Sequence, residues 1–192
     1  MASLKILVVG PERVGKTCLC QMLAEQPQTL PGYNATKGVR VQEIERRLEG
    51  RNVNVQLWDV AGSAQPFWAV LGRDIDGILL CHDPRDASGE AALEKLYTQL
   101  AQPAKLAMSQ CMTLALDFEG GTDSNGLTRK LKKLQGAVLD LSPAKARMSL
   151  QRLLPALDKM FAACAAKQAK KAQANEAAPG VQDDEDEVAE VA

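Results

Sequence analysis

The residues whose types and spacing could do chemistry begin at position 10, where residues 10–17 read Gly-Pro-Glu-Arg-Val-Gly-Lys-Thr. This segment matches the pattern G-x-x-x-x-G-K-[ST], in which backbone N–H groups surround the phosphates of a nucleotide. In that pattern Lys16 contacts the β- and γ-phosphates, and the hydroxyl of Thr17 is a ligand of Mg²⁺. The segment therefore predicts a site for a nucleoside triphosphate and Mg²⁺.

The sequence on either side of this loop predicts the elements that the pattern requires. The apolar run at residues 4–9 predicts a strand, and residues 16–25 predict a helix whose first turn faces the same anion. A chance turn between a strand and a helix is the alternative. Three fixed residue types in this context make that alternative the weaker interpretation.

Two later positions could complete such a site. Asp59 ends a predicted strand and is followed three positions later by Gly62, which leaves room for a γ-phosphate. An acidic residue beside the phosphate loop holds Mg²⁺, usually through water. Thr36 lies in a loop rich in Pro and Gly, and offers Mg²⁺ a hydroxyl, as in switch segments that become ordered around the γ-phosphate. We therefore expect Thr17, Thr36 and Asp59 to form the metal site.

Strand and helix patterns alternate along the chain, which predicts an α/β domain built on a mostly parallel sheet. Strands are predicted at 4–9, 39–48, 52–59, 78–81, 111–116 and 137–141, and helices at 16–25, 88–101 and after Ser142-Pro143. The basic segment 128–134 predicts a one-turn surface helix, with a phosphate- or acid-binding patch as the alternative. His82, the only His, is expected to be a surface or loop residue.

Charge is distributed unevenly along this chain of formal net charge −1. Residues 165–192 contain three Lys and seven Asp or Glu, five of them in the acidic run 183–187. We assign residues 1–165 to the folded domain and predict that residues 166–192 form a disordered acidic tail. A docking segment for a basic partner is the alternative. The nearly neutral total charge gives no reason to expect nucleic acid as a partner.

The five Cys residues lie in apolar segments and include no C-x-x-C pair, so neither zinc nor a disulfide framework is indicated. Buried reduced thiols are the expectation. The last five residues, Val-Ala-Glu-Val-Ala, contain no Cys, so we expect no prenyl lipid anchor.

The phosphate loop, the Thr36 loop and the segment Trp58-Asp59-Val60-Ala61-Gly62 resemble the Ras/Rab-type small GTPases over roughly residues 3–165. The resemblance implies the small-GTPase fold, a mostly parallel six-stranded sheet with helices on both faces, here with a shortened region after strand 5. It also implies binding of GTP and GDP with Mg²⁺. The nucleotide-binding residues that it implies are Glu12, Arg13, Val14, Gly15, Lys16, Thr17, Cys18, Thr36, Asp59, Gly62 and Asp117.

A narrower resemblance is to the Rab-like GTPases of the intraflagellar transport B complex. It is carried by Gly-Pro at the start of the loop, by the pattern Tyr-x-x-Thr-x-Gly-Val-Arg from Tyr33 to Arg40, and by the missing guanine signature. This resemblance implies docking on coiled-coil subunits of that complex. It also implies location in the cilium or flagellum, and in the cytoplasm near the basal body.

The guanine signature of small GTPases is Asn-Lys-x-Asp at the end of strand 5, followed by Ser-Ala-Lys after strand 6. The corresponding stretch of this chain, residues 113–119, reads Thr-Leu-Ala-Leu-Asp-Phe-Glu without Asn-Lys, and residues 140–143 read Asp-Leu-Ser-Pro. Base selectivity must therefore come from other groups. Asp117 is the candidate acceptor for the guanine edge, with capping of the following loop as its competing role, and residues 140–142 lie where the base would pack.

Hydrolysis is expected to be very slow. Ser63 follows Gly62 where small GTPases carry a Gln that positions the attacking water, and a Ser side chain is too short for that role. Gln65 is a weaker substitute. Glu12 stands where fast enzymes have Gly and would crowd an arginine finger, and Arg13 beside it offers positive charge.

Two other functions stay open. A small P-loop kinase or ATPase needs an Arg-rich lid, for which only the isolated Arg73 and Arg85 are available midway. A pseudo-GTPase interaction module would have no need for an intact set of phosphate and metal ligands. Three aromatic residues flank the segment after Asp59, which corresponds to the second switch of small GTPases: Trp58, Phe67 and Trp68. This cluster suits an anchor for a partner, with core packing as the alternative for Trp58.

Overall fold

The computed structural model describes residues 3–26, 35–64, 67–86, 88–124, 126–127 and 130–176. Its strands are β1 (Ser3–Val9), β2 (Val39–Leu48), β3 (Arg51–Val60), β4 (Gly77–His82), β5 (Cys111–Asp117) and β6 (Gln135–Asp140). They form one sheet in the order β2-β3-β1-β4-β5-β6, in which only the β2–β3 hairpin is antiparallel. The predicted mostly parallel six-stranded sheet is confirmed.

In the part of the chain that the structure describes, four α-helices connect and cover these strands. They are α1 (Lys16–Leu23), the short α2 (Trp68–Leu71), α3 (Gly89–Leu96) and α4 (Ala146–Glu176). A π-helical turn at Tyr97–Ala101 extends α3, and the basic segment contains a single 3₁₀ turn at Lys130–Lys133. The sequence patterns predicted α1, α3 and α4 but not α2. Within the described residues, no helix is long and apolar enough to cross a membrane.

The two faces of the sheet bury separate apolar clusters because side chains alternate along each strand. On β1, Leu4, Ile6 and Val8 face α1 and α4, whereas Leu7 and Val9 face α2 and α3. Helices therefore cover both faces, as predicted. This arrangement places the carboxyl ends of the parallel strands, with the loops that follow them, at one edge of the sheet.

The last helix differs from its prediction at both ends. The residues after Ser142 form a turn, in which the Ser142 carbonyl accepts hydrogen bonds from the N–H groups of Lys145 and Ala146, and α4 begins only at Ala146. At the other end α4 continues to Glu176. Gln168 donates to the Ser3 carbonyl at 3.2 Å, so this part of the helix packs on the domain. Residues 166–176 are thus helical rather than disordered, and the acidic run lies outside the described residues.

The titratable groups in the interior include Cys thiols and one imidazole. Four of the five Cys thiols are buried as predicted, and Cys18 is partly buried. His82 is the last residue of β4 and is buried, so the expectation of a surface or loop His was wrong. The alternation on β4 explains this position, because His82 continues the face on which Ile78 and Leu80 meet the core.

Candidate nucleotide-binding site

The phosphate loop connects β1 to α1 and is shaped by two glycines. A Cβ built on Gly10 would lie 2.0 Å from the Cys81 carbonyl oxygen, and one on Gly15 would lie 2.9 Å from the Phe118 ring. Both glycines also have positive φ, as has Arg13 between them. Gly15 is the N-cap of α1 and no side chain caps the first turn. The N–H groups of that turn are therefore available to an anion, and the helix dipole favours one there.

Lys16 is folded into this loop. Its Nζ donates to the carbonyls of Gly10 at 3.0 Å and Pro11 at 2.7 Å, and its side chain is buried. Burial lowers the pKa of Lys16, because removing an ammonium from water disfavours its charged form. A phosphate would supply the negative charge that stabilises a cation in this position.

Thr17, Thr36 and Asp59, which the sequence pattern predicts as metal ligands, meet at one point. Thr17 Oγ1 donates to Asp59 Oδ2 at 2.6 Å and lies 3.0 Å from Thr36 Oγ1, which is 3.5 Å from the same carboxylate oxygen. Asp59 is fully buried, and its Oδ1 has no hydrogen-bond partner among the described residues. An unpartnered carboxylate oxygen beside two hydroxyls fits a hard cation such as Mg²⁺.

The predicted metal site needs ligands in addition to these three side chains. In the described part of the chain, no group of three or more His, Cys, Asp or Glu residues could hold a metal ion. Two hydroxyls and one carboxylate would leave the remaining positions around Mg²⁺ to phosphate oxygens and water. The arrangement therefore fits a cation that binds together with a polyphosphate.

The segment after β3 closes against the phosphate loop. A Cβ on Gly62 would lie 2.5 Å from Glu12 Cγ and 2.9 Å from Glu12 N, so only glycine allows this approach. The Ala61 N–H donates to the Gly38 carbonyl at 2.9 Å and joins this segment to the loop that carries Thr36. Ser63 is exposed, and Gln65 lies outside the described residues.

Two other predicted residues have their side chains away from the loop's concave side. Val14 is buried in the core, so a contact with phosphate is open to its backbone N–H alone. Cys18 packs partly against the same core, and burial raises the pKa of its thiol.

Asp117 ends β5 and caps the loop that follows. Its Oδ1 accepts from the N–H groups of Glu119 at 3.1 Å and Gly120 at 2.9 Å, and its Oδ2 accepts from Thr122 N at 3.0 Å. The Arg85 guanidinium also donates to Oδ1. Burial alone would raise the pKa of Asp117, but these hydrogen bonds outweigh it and hold the pKa below its usual range. Asp117 thus caps the following loop, and its contact with a base stays a prediction.

Sequence reasoning missed Arg85 as a member of this region. It lies in the loop between β4 and α3, donates to the Gly120 carbonyl at 3.0 Å and pairs with Glu119 at 3.4 Å, besides contacting Asp117. No local pattern marks such a residue. Its partners lie 32 and 35 positions further along the chain, and only the sheet brings the two loops together.

Exposed apolar side chains lie on the β2–β3 hairpin and at α2. Val41 stands opposite Trp58 in the β2–β3 register, and both Phe67 and Val70 at α2 are more than half exposed (62% and 63%). Trp58 is partly buried, with Lys5 Nζ 4.4 Å from its ring centroid. We name Val41, Trp58, Phe67, Trp68 and Val70 the interswitch surface.

Comparison with known proteins identifies the family. Residues 5–115 match the family model described as "Ras of Complex, Roc, domain of DAPkinase". Intraflagellar transport protein 22 of Chlamydomonas reinhardtii is 42% identical over 166 residues, covering 82% of this chain and 86% of that protein. Its Homo sapiens homolog is 30% identical over 169 residues, covering 82% and 91% of the two chains.

A solved structure shows the same fold. A chain of the GTP-bound crystal structure of T. brucei IFT22/74/81 superposes with a TM-score of 0.71 and 24% identity, covering 89% of this chain and 99% of that one. The shared fold and the two relatives, each aligned over most of its length, agree with the phosphate loop and the predicted metal ligands described above. The chain therefore belongs to the intraflagellar transport protein 22 family of small GTPases.

Proposed function

We propose that this chain is a GTP- and GDP-binding, Rab-like subunit of the intraflagellar transport B complex, with little GTP hydrolysis. The observation that carries this proposal is the meeting of Thr17, Thr36 and Asp59 beside the uncapped first turn of α1. A site that had lost nucleotide would have no reason to keep a buried, unpartnered carboxylate oxygen there. The proposed place of action is the cilium or flagellum and the cytoplasm near the basal body.

Each part of the site has a defined role toward the triphosphate. The N–H groups of the loop and of the first turn of α1 bind phosphate oxygens, and Lys16 supplies positive charge at the β- and γ-phosphates. Thr17, Thr36 and, through water, Asp59 would hold Mg²⁺, which would neutralise part of the phosphate charge. Thr36 is the residue through which the loop before β2 senses the γ-phosphate.

Slow turnover follows from two residues at and beside the segment after β3, neither of which positions the attacking water. Catalysis of phosphoryl transfer rests on positioning and charge neutralisation, so an unpositioned water reacts slowly. Ser63 is exposed and short, and Glu12 rather than glycine packs against Gly62. The triphosphate state is therefore long-lived, and the nucleotide serves the structure of the switch segments more than repeated turnover.

The test is chromatographic identification of the nucleotide in freshly purified protein, with Mg²⁺ present throughout, followed by titration with GTP, GDP and ATP. Guanine nucleotide in near-stoichiometric amount supports the proposal, whereas ATP would favour a P-loop kinase or ATPase. No binding of any of the three at millimolar concentration would leave an interaction module without nucleotide. Lys16→Ala should reduce GTP affinity about a hundredfold or more, since it removes a charge-assisted contact and the loop's internal support. Lys95→Ala, at an exposed position of α3, is the matched control.

The interswitch surface is the proposed contact for the coiled-coil subunits. Large exposed apolar side chains beside a Trp suit a partner that presents an apolar stripe, and such anchors dominate binding energies. The relevant T. brucei crystal structure contains IFT22 with IFT74 and IFT81, which makes those subunits' counterparts the partners to test.

Co-purification of those two subunits with this chain tests the contact. Phe67→Ser and Val70→Ser should each weaken binding about tenfold or more, because each removes an apolar anchor. Met148→Ser changes an exposed apolar side chain on α4 and is the control. Equal retention of the partners by all three variants would place the contact elsewhere. Repeating the assay with GDP and GTP shows whether binding depends on the nucleotide state.

A further inference from the structure

Asp117, the carboxylate expected to recognise a guanine base, already accepts hydrogen bonds from the loop that follows it. Asp117 is fully buried, and both oxygens accept hydrogen bonds from backbone N–H groups of the following residues. The Arg85 guanidinium is a further donor to Oδ1. A base could reach this carboxylate only by displacing the loop, so a different acceptor is needed.

Asp140 provides a carboxylate next to that loop. It ends β6 and stands opposite Asp117 in the register of β5 and β6. A Cβ built on Gly120 would lie 3.1 Å from Asp140 Oδ2 and 3.3 Å from its Oδ1. Counted from the last residue of β5, Gly120 is the fourth position of the segment that reads Asp-Phe-Glu-Gly in place of Asn-Lys-x-Asp. The space that a side chain at this position would enter is bordered by the Asp140 carboxylate.

The two oxygens of Asp140 are not equivalent. Oδ1 accepts from both the N–H (2.9 Å) and the hydroxyl of Ser142, which fix the orientation of the carboxylate. The same hydrogen bonds lower the pKa of Asp140, so it is an acceptor at neutral pH. Oδ2 lies 3.9 Å from Lys145 Nζ, a distance too long for a hydrogen bond, and the side chain retains 17% exposure. Oδ2 can therefore accept from a ligand that enters from solvent.

Phe118, in the loop that follows β5, lies against the phosphate loop. Its ring touches Gly15, whose missing side chain permits the approach, and Leu141 packs at the same place. The ring is nevertheless 47% exposed, although it is next to the N-terminus of α1. An exposed aromatic ring at the edge of a phosphate site offers a base a surface on which to stack.

We propose that Phe118 and Asp140 form the base site of this protein, with Phe118 stacking on the purine and Asp140 Oδ2 accepting hydrogen bonds from guanine N1–H and N2–H. The inference rests on the proposed function, because it assigns the base of a nucleotide whose phosphates occupy the loop after β1. Adenine presents an unprotonated N1 to the same carboxylate and is rejected, since two lone pairs would then face each other without a proton.

The test exchanges the donor and acceptor pattern at residue 140. Asp140→Asn keeps the oxygen that accepts from Ser142 and replaces the other oxygen with an NH₂ donor. The affinity for GTP should fall roughly tenfold to a hundredfold, from the loss of charge-assisted hydrogen bonds. The affinity for xanthosine triphosphate relative to GTP should rise, because the new NH₂ can donate to the carbonyl oxygen that xanthine has where guanine has its amino group. Asp123→Asn, at an exposed position of the loop after β5, is the matched control.

Phe118→Leu separates stacking from base selection. Because stacking tolerates every base, this variant should weaken GTP, xanthosine triphosphate and ATP by a similar factor of about ten. The ratio of their affinities should stay that of the original protein. A changed ratio in Phe118→Leu, or an unchanged ratio in a folded Asp140→Asn protein, would overturn the assignment.

A measurement on the unaltered protein keeps the test independent of how any variant folds. Inosine triphosphate lacks the N2 amino group, so it should bind roughly tenfold more weakly than GTP. Equal affinity for GTP and inosine triphosphate contradicts an acceptor at the N1–N2 edge. If no triphosphate binds, the proposed function itself fails. If GTP binds without these preferences, only the assignment of Asp140 and Phe118 fails.

Discussion

Thr17 and Asp59 are joined by a 2.6 Å hydrogen bond between the first turn of α1 and the carboxyl end of β3. Each residue is a predicted magnesium ligand, so the fold itself brings the two side chains together, and the other Asp59 oxygen is left without a partner among the described residues. Preorganisation of this kind reduces the cost of binding the cation with its phosphates.

Asp59→Asn tests this site. With Mg²⁺ present, we expect the variant to bind GTP about 10- to 100-fold more weakly, because an amide oxygen is a poorer partner for the hydrated cation. With the metal chelated, the two proteins should differ little. Titration of a fluorescent GTP analogue in both conditions measures the difference. Asp74→Asn, at an exposed carboxylate paired with Lys171 at the opposite edge of the sheet, should leave both affinities unchanged. A loss equal in size with and without Mg²⁺ would contradict a metal role.

Ser63→Gln tests the origin of slow hydrolysis. A Gln at this exposed position could orient the attacking water, so we expect single-turnover GTP hydrolysis to accelerate about tenfold or more. Ser124→Gln, in the exposed loop after β5, is the control. An unchanged rate would shift the cause to Glu12, whose side chain packs against Gly62, and Glu12→Gly would then be expected to accelerate hydrolysis instead.

The part of the site that could be predicted from the sequence is the part built from local patterns. The phosphate loop, with Lys16 and Thr17, needs only a strand, a glycine-bounded turn and a helix in succession. Asp59 adds one strand, and its position at the end of β3 follows from the alternation of apolar residues. Parallel pairing of β1 with β3 then brings the two together, since carboxyl ends meet at one edge of the sheet.

The part that could not be predicted depends on contacts between distant loops. Asp117 was the natural candidate for a base because of its position, but three neighbouring N–H groups and Arg85 occupy it. The nearness of Asp140 to Gly120 likewise follows from the register of β5 and β6. The end of α4 was also missed, because its Ala- and Lys-rich continuation shows no apolar stripe although Gln168 reaches β1.

The ion pair between Arg46 and Asp158 leads to a prediction about the stability of the fold. The guanidinium of Arg46 on β2 donates through Nε and Nη2 to both oxygens of Asp158 on α4, at 2.9 and 2.8 Å. A double-mutant cycle with Arg46→Ala and Asp158→Ala should give a coupling free energy of about 1 kcal/mol, above most surface pairs because the contact is bidentate. Urea unfolding of the four proteins measures it. A coupling near zero would mean that α4 holds the β2–β3 hairpin by apolar contacts alone.

The burial of His82 predicts how the free energy of unfolding depends on pH. It is the only His in the chain, it is 3% exposed, and its Nε2 has no hydrogen-bond partner among the described residues. Burial lowers its pKa, against the opposing effect of the Asp83 carbonyl and the nearby carboxylates of Asp83, Asp86 and Glu90. The folded protein therefore favours the neutral imidazole, whereas the unfolded chain binds a proton at about pH 6.5.

The sign of the effect follows from proton binding. Below about pH 6.5 the unfolded state binds the extra proton first, so the contribution of His82 is complete above that pH and is lost as the pH falls toward the lower pKa of the folded state. The free energy of unfolding, measured in urea at pH 7, 6 and 5, should decrease by at most about 1.4 kcal/mol per pH unit from this group. His82→Leu removes the titrating ring without leaving a partner unpaired at Nε2, and should flatten the curve over this interval. Parallel curves for the two proteins would show that carboxylates, and not His82, control stability between pH 7 and 5.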